Sequence, residues 1–433
     1  GETLKPVSSQ TGANKQPANQ VRFGTPIETK AEVEDTPQLV GEIEMPEANA
    51  QPAVGVTVRP FELATDSAAR LQLPDINILD RAPRLESPMK IDDPFVARHD
   101  PKQRLEIIDR LGGSKETEAA ILRSLDWFTA NQKPDGHWDG PTGTGRDRFT
   151  GNQRADHDLA ATGMAMLAYM GWGAKHTEPG PYQKPLAKAV FWMARRVDES
   201  GDMRPFKGAN YMYDQGIAAI AMTEAYSLTK DPRLRPHVER IVDFIVRAQS
   251  PVRRIGNRTY GGGWRYRPNG EQGYSDRGDM SVTGWQIMAL KSARLGGIDV
   301  PEEVFDKAKI FMDSIATGKS KGAYGYTTTK DVKPAMIAEA MFCQQLVGLP
   351  PSHPRMQESA KLLLRNMPRT NKFNYYYWYY ACLALHQHQG PSWKAWNQRM
   401  RPIFLKEQIH RPSDRKVHGS WNPKGEWAGG SGR

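Results

Sequence analysis

The stretch that decides the fold is ILRSLDWFTANQKPDGHW, residues 121–138. Its first part places apolar residues three and four positions apart, at Ile121, Leu125 and Phe128, with charged or polar residues between them. This spacing predicts an amphipathic helix that buries one face and leaves the other in solvent.

The end of the same stretch is a compact turn. Gln132, Gly136 and Trp138 stand in Q-x3-G-x-W spacing, and a glycine beside an aromatic residue suits a tight turn that packs back on the preceding helix. Related turns come later along the chain, as GDM, YGGGW, GAYGY and GSW. The sequence therefore predicts a repeated helix–turn–helix unit.

Two kinds of helix alternate along the chain. Amphipathic segments occupy residues 121–132, 186–198, 237–249, 305–317, 356–368 and 396–408. Between them lie segments rich in Ala, Met and aromatic residues, at 156–173, 213–226, 278–293, 333–348 and 374–388. These are apolar most of the way round, so we expect them to be buried. An outer ring of amphipathic helices around an inner ring of apolar helices is an all-α, α/α-toroid fold.

The last amphipathic segment is followed by GSWNPKGEWAGGSGR, residues 419–433, and not by a sixth apolar segment. We therefore predict a toroid of about six hairpins whose last inner helix is missing from this sequence, which leaves a groove that a protein partner would enter at the open ring. Because the first residue is not Met, the sequence is interpreted as a piece of a longer chain.

The chain divides into three parts by composition. Residues 1–94 are rich in Pro and Glu and have no apolar period, which predicts a disordered or extended arm. Residues 95–115 form a lead-in segment, and residues 116–433 form the toroid. Residues 1–100 carry 10 basic and 16 acidic side chains, a net −6, so the rest carries +16 of the overall +10. We expect a basic surface on the toroid.

This charge limits the expected partners. A basic surface would attract an anionic membrane surface, although its own acidic arm would also neutralise it. The basic residues are scattered and form no nucleic-acid recognition motif, so no nucleic-acid partner is expected. No run of eighteen apolar residues is present, so attachment to a membrane or envelope would come through residues upstream of this sequence.

The turn motif and the helix pairing carry a family resemblance. The motif recurs with longer spacing, as Gln249, Gly263 and Trp264 and as Gln408, Gly419 and Trp421. From about residue 116 onward the chain resembles the squalene/hopene cyclase and protein prenyltransferase β-subunit superfamily, and most of all its prenyltransferase/squalene-oxidase repeat proteins. The resemblance implies a terpenoid-cyclase fold with QW motifs in its turns, and it says little about a reaction.

Class II cyclases of this superfamily protonate their substrate with an aspartic acid in a D-x-D-D motif. That chemistry needs a carboxyl held protonated in a site without water. The matching stretch here is SDRGDMSVTGW, which places Asp276 at the first position of the motif and Gly278 at the position of the acid. The resemblance therefore implies a non-catalytic module, and Asp276 and Asp279 are the candidate catalytic residues if the chain is an enzyme.

Protein prenyltransferases hold a zinc ion with Asp, Cys and His side chains. Cys382 and His386 are four residues apart and would share one helix face, which is compatible with a metal. A lone pair in an aromatic helix is more often core packing, so no metal site and no cofactor are predicted. Both cysteines, Cys343 and Cys382, are expected to be buried free thiols.

Several polar and aromatic side chains are expected near one mouth of the ring, because they lie at or close to the starts of inner helices. The candidate ligand-binding residues are His157, Asp158, Tyr213, Asp214, Trp285, Tyr376, Trp378 and Tyr380. Such a mouth would suit a ligand with an apolar tail and a polar or cationic head. In the alternative, Asp156, Asp214 and Asp279 only cap helices and the aromatic side chains only fill the ring.

Three functions remain open at this point. The first is a binding or scaffold module for a protein or an apolar ligand. The second is an enzyme acting on isoprenoid-like substrates, which would need a closed apolar cavity of several hundred Å³ beneath Asp279. The third is a glycan-active enzyme, because α/α toroids also carry such activities; it would need two carboxylates roughly 5–10 Å apart in an open cleft.

Overall fold

The computed structural model of the chain describes residue 108 and residues 112–140, 157–204, 212–256, 258–271, 274–275 and 277–423. All described residues belong to one compact unit. The predicted arm at residues 1–94 and the candidates Asp156 and Asp276 lie outside the described residues.

Eleven long helices and two short hairpins form the described part of the chain. In chain order the helices are α1 (Lys115–Asn131), α2 (Asp158–Trp172), α3 (Gln183–Ala194), α4 (Met212–Thr229), α5 (Arg235–Ala248), α6 (Met280–Leu295), α7 (Glu302–Ser314), α8 (Pro334–Leu346), α9 (Pro354–Leu364), α10 (Tyr375–His388) and α11 (Gly390–Glu407). The antiparallel hairpins pair β1 (Arg253–Ile255) with β2 (Arg258–Tyr260), and β3 (Ala316–Thr317) with β4 (Ala323–Tyr324).

The helices form two layers, and the predicted all-α, α/α-toroid fold is confirmed. The even-numbered helices form the inner wall, in which α2, α4, α6, α8 and α10 pack against one another in sequence order. The odd-numbered helices form the outer wall and keep one exposed face. The inner helices are buried almost all round, and in α6 every residue from Met280 to Ala293 is buried. No described helix combines the length and the apolar composition that a membrane span requires.

The Gln–Gly–Trp turn has a structural role that its residues explain. The side-chain amide of Gln132 donates to the carbonyl oxygen of Gly136 in its own turn at 2.9 Å, and to that of Pro185 in α3 at 2.8 Å. The indole N–H of Trp138 donates to the carbonyl oxygen of Phe128 in α1 at 2.8 Å. The turn therefore joins the outer helix that it follows to the next outer helix along the ring.

The two later copies make the same bonds. The side-chain amide of Gln249 donates to the carbonyl oxygens of Gly262 and Val304. The side-chain amide of Gln408 donates to those of Gly419 and Ala120. The sequence spacing paired Gln249 with Gly263, whereas the structure uses the carbonyl of the preceding glycine. Because Ala120 lies in α1, the last copy closes the outer wall on the first helix, and α11 packs against α1.

The second copy shows why glycine stands in these turns. Gly262 has a φ of +82°, and a β-carbon there would lie 2.2 Å from the carbonyl oxygen of Lys307 in α7. A side chain would therefore both strain the backbone and separate the turn from the neighbouring helix. Among the described helices, the inner wall has no such closure, since α2 and α10 at its two ends make at most slight contact.

Candidate functional site

Asp279 is the residue just before α6 and is fully buried. One carboxylate oxygen accepts from the backbone N–H of Val282 at 2.8 Å and from the hydroxyl of Ser281 at 2.9 Å. The other accepts from the hydroxyl of Tyr326 at 3.3 Å. Burial raises the pKa of Asp279 to about 6, against the opposing charge of Arg265 and these hydrogen bonds. The carboxyl caps α6 and exchanges its proton not far below neutral pH.

Tyrosine hydroxyls cover this carboxyl. The hydroxyl of Tyr213 in α4 bonds that of Ser281, and the hydroxyls of Tyr266 and Tyr326 bond each other. The rings of Tyr213 and Tyr266 lie 5.8 Å apart. Burial raises the pKa of each of these three phenols above its usual range, so they stay neutral. The structure thus brings Tyr213 and Asp279 into one hydrogen-bonded group.

A second buried carboxyl lies on α8. Glu339 is fully buried, and the hydroxyl of Tyr376 in α10 donates to it at 3.0 Å. Burial raises the pKa of Glu339 well above its usual range, while nearby tyrosine hydroxyls oppose the shift. A β-carbon at Gly284 in α6 would lie 2.2 Å from its carboxylate, so the glycine makes room for it. Sequence reasoning missed Glu339, because a single Glu in an apolar helix carries no motif.

Aromatic side chains fill the interior between the inner helices. Trp285 of α6 stacks on Tyr379 of α10, with ring centroids 5.6 Å apart and planes at 24°, and also contacts Tyr380 at 5.3 Å. In the inner wall α8 stands between α6 and α10, so this contact reaches across the ring. Trp285 is 3% exposed. The predicted ligand residues Trp285 and Tyr380 therefore pack on each other.

His157 and Asp214 form a pair at the mouth of the ring. Nδ1 of His157, just before α2, lies 2.9 Å from a carboxylate oxygen of Asp214 in α4. The Asp214 side chain is fully buried, whereas the imidazole is 39% exposed. Asp158 instead accepts from the backbone N–H of Gly140 at 2.8 Å. A buried carboxylate that orients a half-exposed imidazole is a usual arrangement for a proton-exchanging group.

A cluster of carboxylates that the sequence did not predict surrounds His137. Its Nε2 lies 3.4 Å from Asp139 and 3.6 Å from Asp158, and its Nδ1 lies 2.6 Å from Asp135. The ligand atoms of His137, Asp139 and Asp158 all lie within 4.8 Å of one another, close enough to share a cation. Lys133 already pairs with Asp139 at 2.5 Å. The sequence signal was the run PDGHWD, which we interpreted only as a turn.

The remaining candidates lie elsewhere. Cys382 accepts from the indole N–H of Trp396 at 3.2 Å, and burial lowers the pKa of His386 to about 4. Both cysteines are free, and Cys343 is buried. Trp378 packs against Phe404 of α11, so it faces the outer wall and not the interior of the ring.

An apolar cavity of about 240 Å³ lies between α1, α10, α11 and the residues that follow α11. We call it the open slot. It is lined by Ser124, Trp127 and Phe128 of α1, Tyr375 of α10, Phe404 of α11, and Gly419, Ser420, Trp421, Asn422 and Pro423. None of these side chains is charged. Sequence reasoning predicted an opening in the ring, but not these residues.

Comparison with known proteins shows only distant similarity. No family model matches the chain. The chain is similar to a "Probable squalene--hopene cyclase" of Sinorhizobium fredii, with 26% identity over 204 residues. That match covers 42% of this chain and spans 28% of the length of the relative. The chain is thus a toroid with sequence similarity to a cyclase of that superfamily over part of its length.

Two solved structures resemble the fold. One is an inactive variant of an alpha-1,6-mannanase of Salegentibacter sp. HEL1_6 in complex with alpha-1,6-mannotetrose, with a TM-score of 0.36, 13% identity, and coverage of 63% of this chain and 69% of that chain. The other is a sugar epimerase from a ruminal bacterium, with a TM-score of 0.46, 14% identity, and coverage of 71% and 89%. These likenesses concern the fold alone.

Proposed function

We propose that this chain is an α/α-toroid binding module that holds a protein segment or an apolar ligand at the open slot and does not use Asp279 as a catalytic acid. The observation that carries the proposal is the contact of Trp285 with Tyr379 and Tyr380 across the ring. A cyclase-like substrate would have to lie in the interior of the ring, and aromatic side chains of the protein take up that space.

The position of the missing acid supports the same proposal. Gly278 stands where the cyclase resemblance places the proton donor. A β-carbon there would lie 3.0 Å from the Cα of Gly263 and 3.0 Å from the ring of Phe311 in α7. The backbone is therefore packed too closely for a carboxylate side chain to be added without a shift of its neighbours. Asp279, the next residue in the sequence, already accepts three hydrogen bonds.

Binding of a neutral apolar probe tests the proposal. We expect N-phenyl-1-naphthylamine to gain fluorescence in the open slot of the wild-type protein. Ser124→Phe, which fills the slot from α1, should abolish the gain. Leu122→Phe on the same helix should preserve it, because Leu122 is 38% exposed. Equal fluorescence in both variants would contradict the proposal, as would the conversion of squalene by the wild-type protein.

A second candidate function is acid catalysis on an isoprenoid-like substrate. Asp279 and Glu339 are fully buried carboxyls with raised pKa values. Raised pKa values occur in catalytic acids and also in carboxyls that are buried for structural reasons. Because both are enclosed, a glycan that needs an open cleft is the less favoured substrate. Incubation with squalene and analysis of the products by mass spectrometry tests this candidate. Acid catalysis by Asp279 requires a product that the wild-type protein forms and the Asp279→Asn variant does not form.

A further inference from the structure

The three Gln–Gly–Trp turns allow a comparison within one chain. In each turn the indole N–H donates to the carbonyl oxygen of the residue four positions before the glutamine. The bonds are Trp138 to Phe128 at 2.8 Å, Trp264 to Ile245 at 2.8 Å and Trp421 to Phe404 at 2.9 Å. The three tryptophans are therefore seated in the same way on their outer helices, and any difference between them comes from the inner segment that packs against each turn.

In the first two copies an inner helix covers the tryptophan. The backbone N–H of Trp138 donates to the hydroxyl of Thr162 in α2 at 3.1 Å, and that of Trp264 donates to the hydroxyl of Thr283 in α6 at 3.0 Å. Each threonine lies within the first two turns of its helix. With this cover, Trp138 is 4% exposed and Trp264 is fully buried.

The third copy lacks this cover among the described residues. Trp421 is partly exposed, its backbone N–H has no partner in the described part of the chain, and its ring lines the open slot. The place taken by α2 in the first copy and by α6 in the second is here an apolar cavity. The same turn is thus present three times, and an inner helix covers its tryptophan in two of them.

We propose that the open slot binds an apolar helix from outside the described residues, whose Ser or Thr hydroxyl in its first two turns accepts a hydrogen bond from the backbone N–H of Trp421. This inference rests on the binding function proposed above and adds the class of occupant. The helix would fill the place that α2 and α6 fill in the completed copies and would bury the ring of Trp421.

The surfaces beside the slot fit such a helix. Along α2, the half-buried side chains Ala161, Met164 and Ala168 form one stripe at three- and four-residue spacing. On α10, Tyr375 lines the slot and is also half-buried. Apolar side chains at both ends of the inner wall match a helix that is apolar on both sides, as the inner helices are.

The uncharged lining of the cavity disfavours charged occupants. No side chain that lines the cavity is ionisable apart from the phenol of Tyr375. A lipid headgroup or an acidic peptide would lose its hydration there without gaining an opposite charge, which is costly. An apolar helix loses no such hydration, and its one early hydroxyl would satisfy the free N–H.

The chain supplies its own probe for the test. A fluorescent peptide with the sequence of residues 279–295, the α6 segment, is titrated with the purified full chain and followed by anisotropy. We expect saturable binding, about fivefold weaker for the Thr283→Val peptide, because one hydrogen bond is lost. A peptide of residues 235–248, from the charged outer helix α5, is the control and should not bind. A peptide of residues 157–172 provides a second probe with the α2 threonine.

Variants of the protein locate the binding. Ser124→Phe should weaken peptide binding about tenfold or more, and Leu122→Phe should leave it unchanged. Circular dichroism and thermal unfolding show whether each variant is folded. Equal affinity of the Thr283→Val and wild-type peptides, or no effect of Ser124→Phe, would overturn the inference.

Two further outcomes separate this inference from the proposed function. If the naphthylamine probe binds at the slot and neither threonine peptide does, the binding function stands and the helical partner is wrong. If neither the probe nor the peptides bind, both fail. A concentration-dependent dimer that Ser124→Phe abolishes would make the occupant a second copy of this chain, which also overturns the inference.

Discussion

The side-chain amide of Gln408 donates a 2.8 Å hydrogen bond to the carbonyl oxygen of Ala120, a residue 288 positions earlier in the chain. The same amide bonds Gly419 in its own turn, and its carbonyl oxygen accepts from Arg123 at 2.9 Å. One buried glutamine therefore joins the last outer helix to the first. The outer wall closes at this point, whereas the described helices of the inner wall leave a gap beside it.

Loss of that amide should open the outer wall. We expect Gln408→Leu to lower the free energy of unfolding by about 1–3 kcal/mol, because two buried carbonyl oxygens lose their donor. Hydrogen exchange should rise in α1 and α11 together. Gln357→Leu, at an exposed position of α9, is the control and should change stability by less than about 0.5 kcal/mol. Faster exchange in only one of the two helices would argue against closure by this bond.

Two glycines with positive φ allow the cost of backbone strain to be measured apart from the cost of close packing. Gly256 has a φ of +58° and open space around it, whereas Gly262 has a φ of +82° and faces the carbonyl oxygen of Lys307. We expect Gly256→Ala to cost about 1 kcal/mol from strain alone. Gly262→Ala should cost several times more in urea unfolding, since the turn must also move away from α7. Similar losses in the two variants would remove the packing argument.

The buried carboxyl of Asp279 should make stability depend on pH. Its pKa is about 6 in the folded protein and about 4 in an unfolded chain, so the folded state binds the proton more tightly. The stabilisation is complete below about pH 4 and is lost as the pH rises to 6, a change of about 3 kcal/mol. Asp279→Asn should remove this part of the pH dependence, because an amide does not titrate.

Urea unfolding at pH 4.5 and pH 7.5 measures that effect. The comparison is the difference between the two pH values in Asp279→Asn and in the wild-type protein. Asp243→Asn, at an exposed position of α5, is the matched control for removal of one carboxylate and should keep the wild-type difference. A difference in Asp279→Asn as large as in the wild type would show that another group carries it.

The aromatic contact across the ring should contribute strongly to stability. Trp285→Ala removes the ring contacts with Tyr379 and Tyr380 and leaves a cavity, so we expect a loss of about 3–5 kcal/mol in the free energy of unfolding. Leu122→Ala, at a position 38% exposed, should lose less than about 0.5 kcal/mol. A loss below about 1 kcal/mol for Trp285→Ala would mean that the interior is not packed around this side chain.

Much of the fold could be predicted because its signals are local. The spacing of Ile121, Leu125 and Phe128 depends only on the period of a helix, and the alternation of charged and apolar segments separates outer from inner helices. The turn motif also carried over, although the structure assigns the carbonyl beside Gln249 to Gly262 and not to Gly263. Both glycines lie against α7, so the choice depends on the path of the backbone through the turn, which no spacing shows.

The site was less accessible from the sequence. Asp279 was expected as a cap or an acid, and its bond to Val282 matches the cap. The pairing of His157 with Asp214 and the place of Glu339 under Tyr376 depend on contacts between different helices. The residues at the start of one helix do not indicate which residues of the next helix they contact.

The sequence by itself determined the helices, their order and their burial, because 3.6-residue periodicity and glycine-rich turns act within a few residues. Only the tertiary structure decided which side chains meet across the ring and which residues line the open slot. The reason is that rotation of each inner helix about its axis is set by packing against neighbours far away in the chain. The cover of Trp138 and the exposure of Trp421 result from that packing, although both stand in the same local motif.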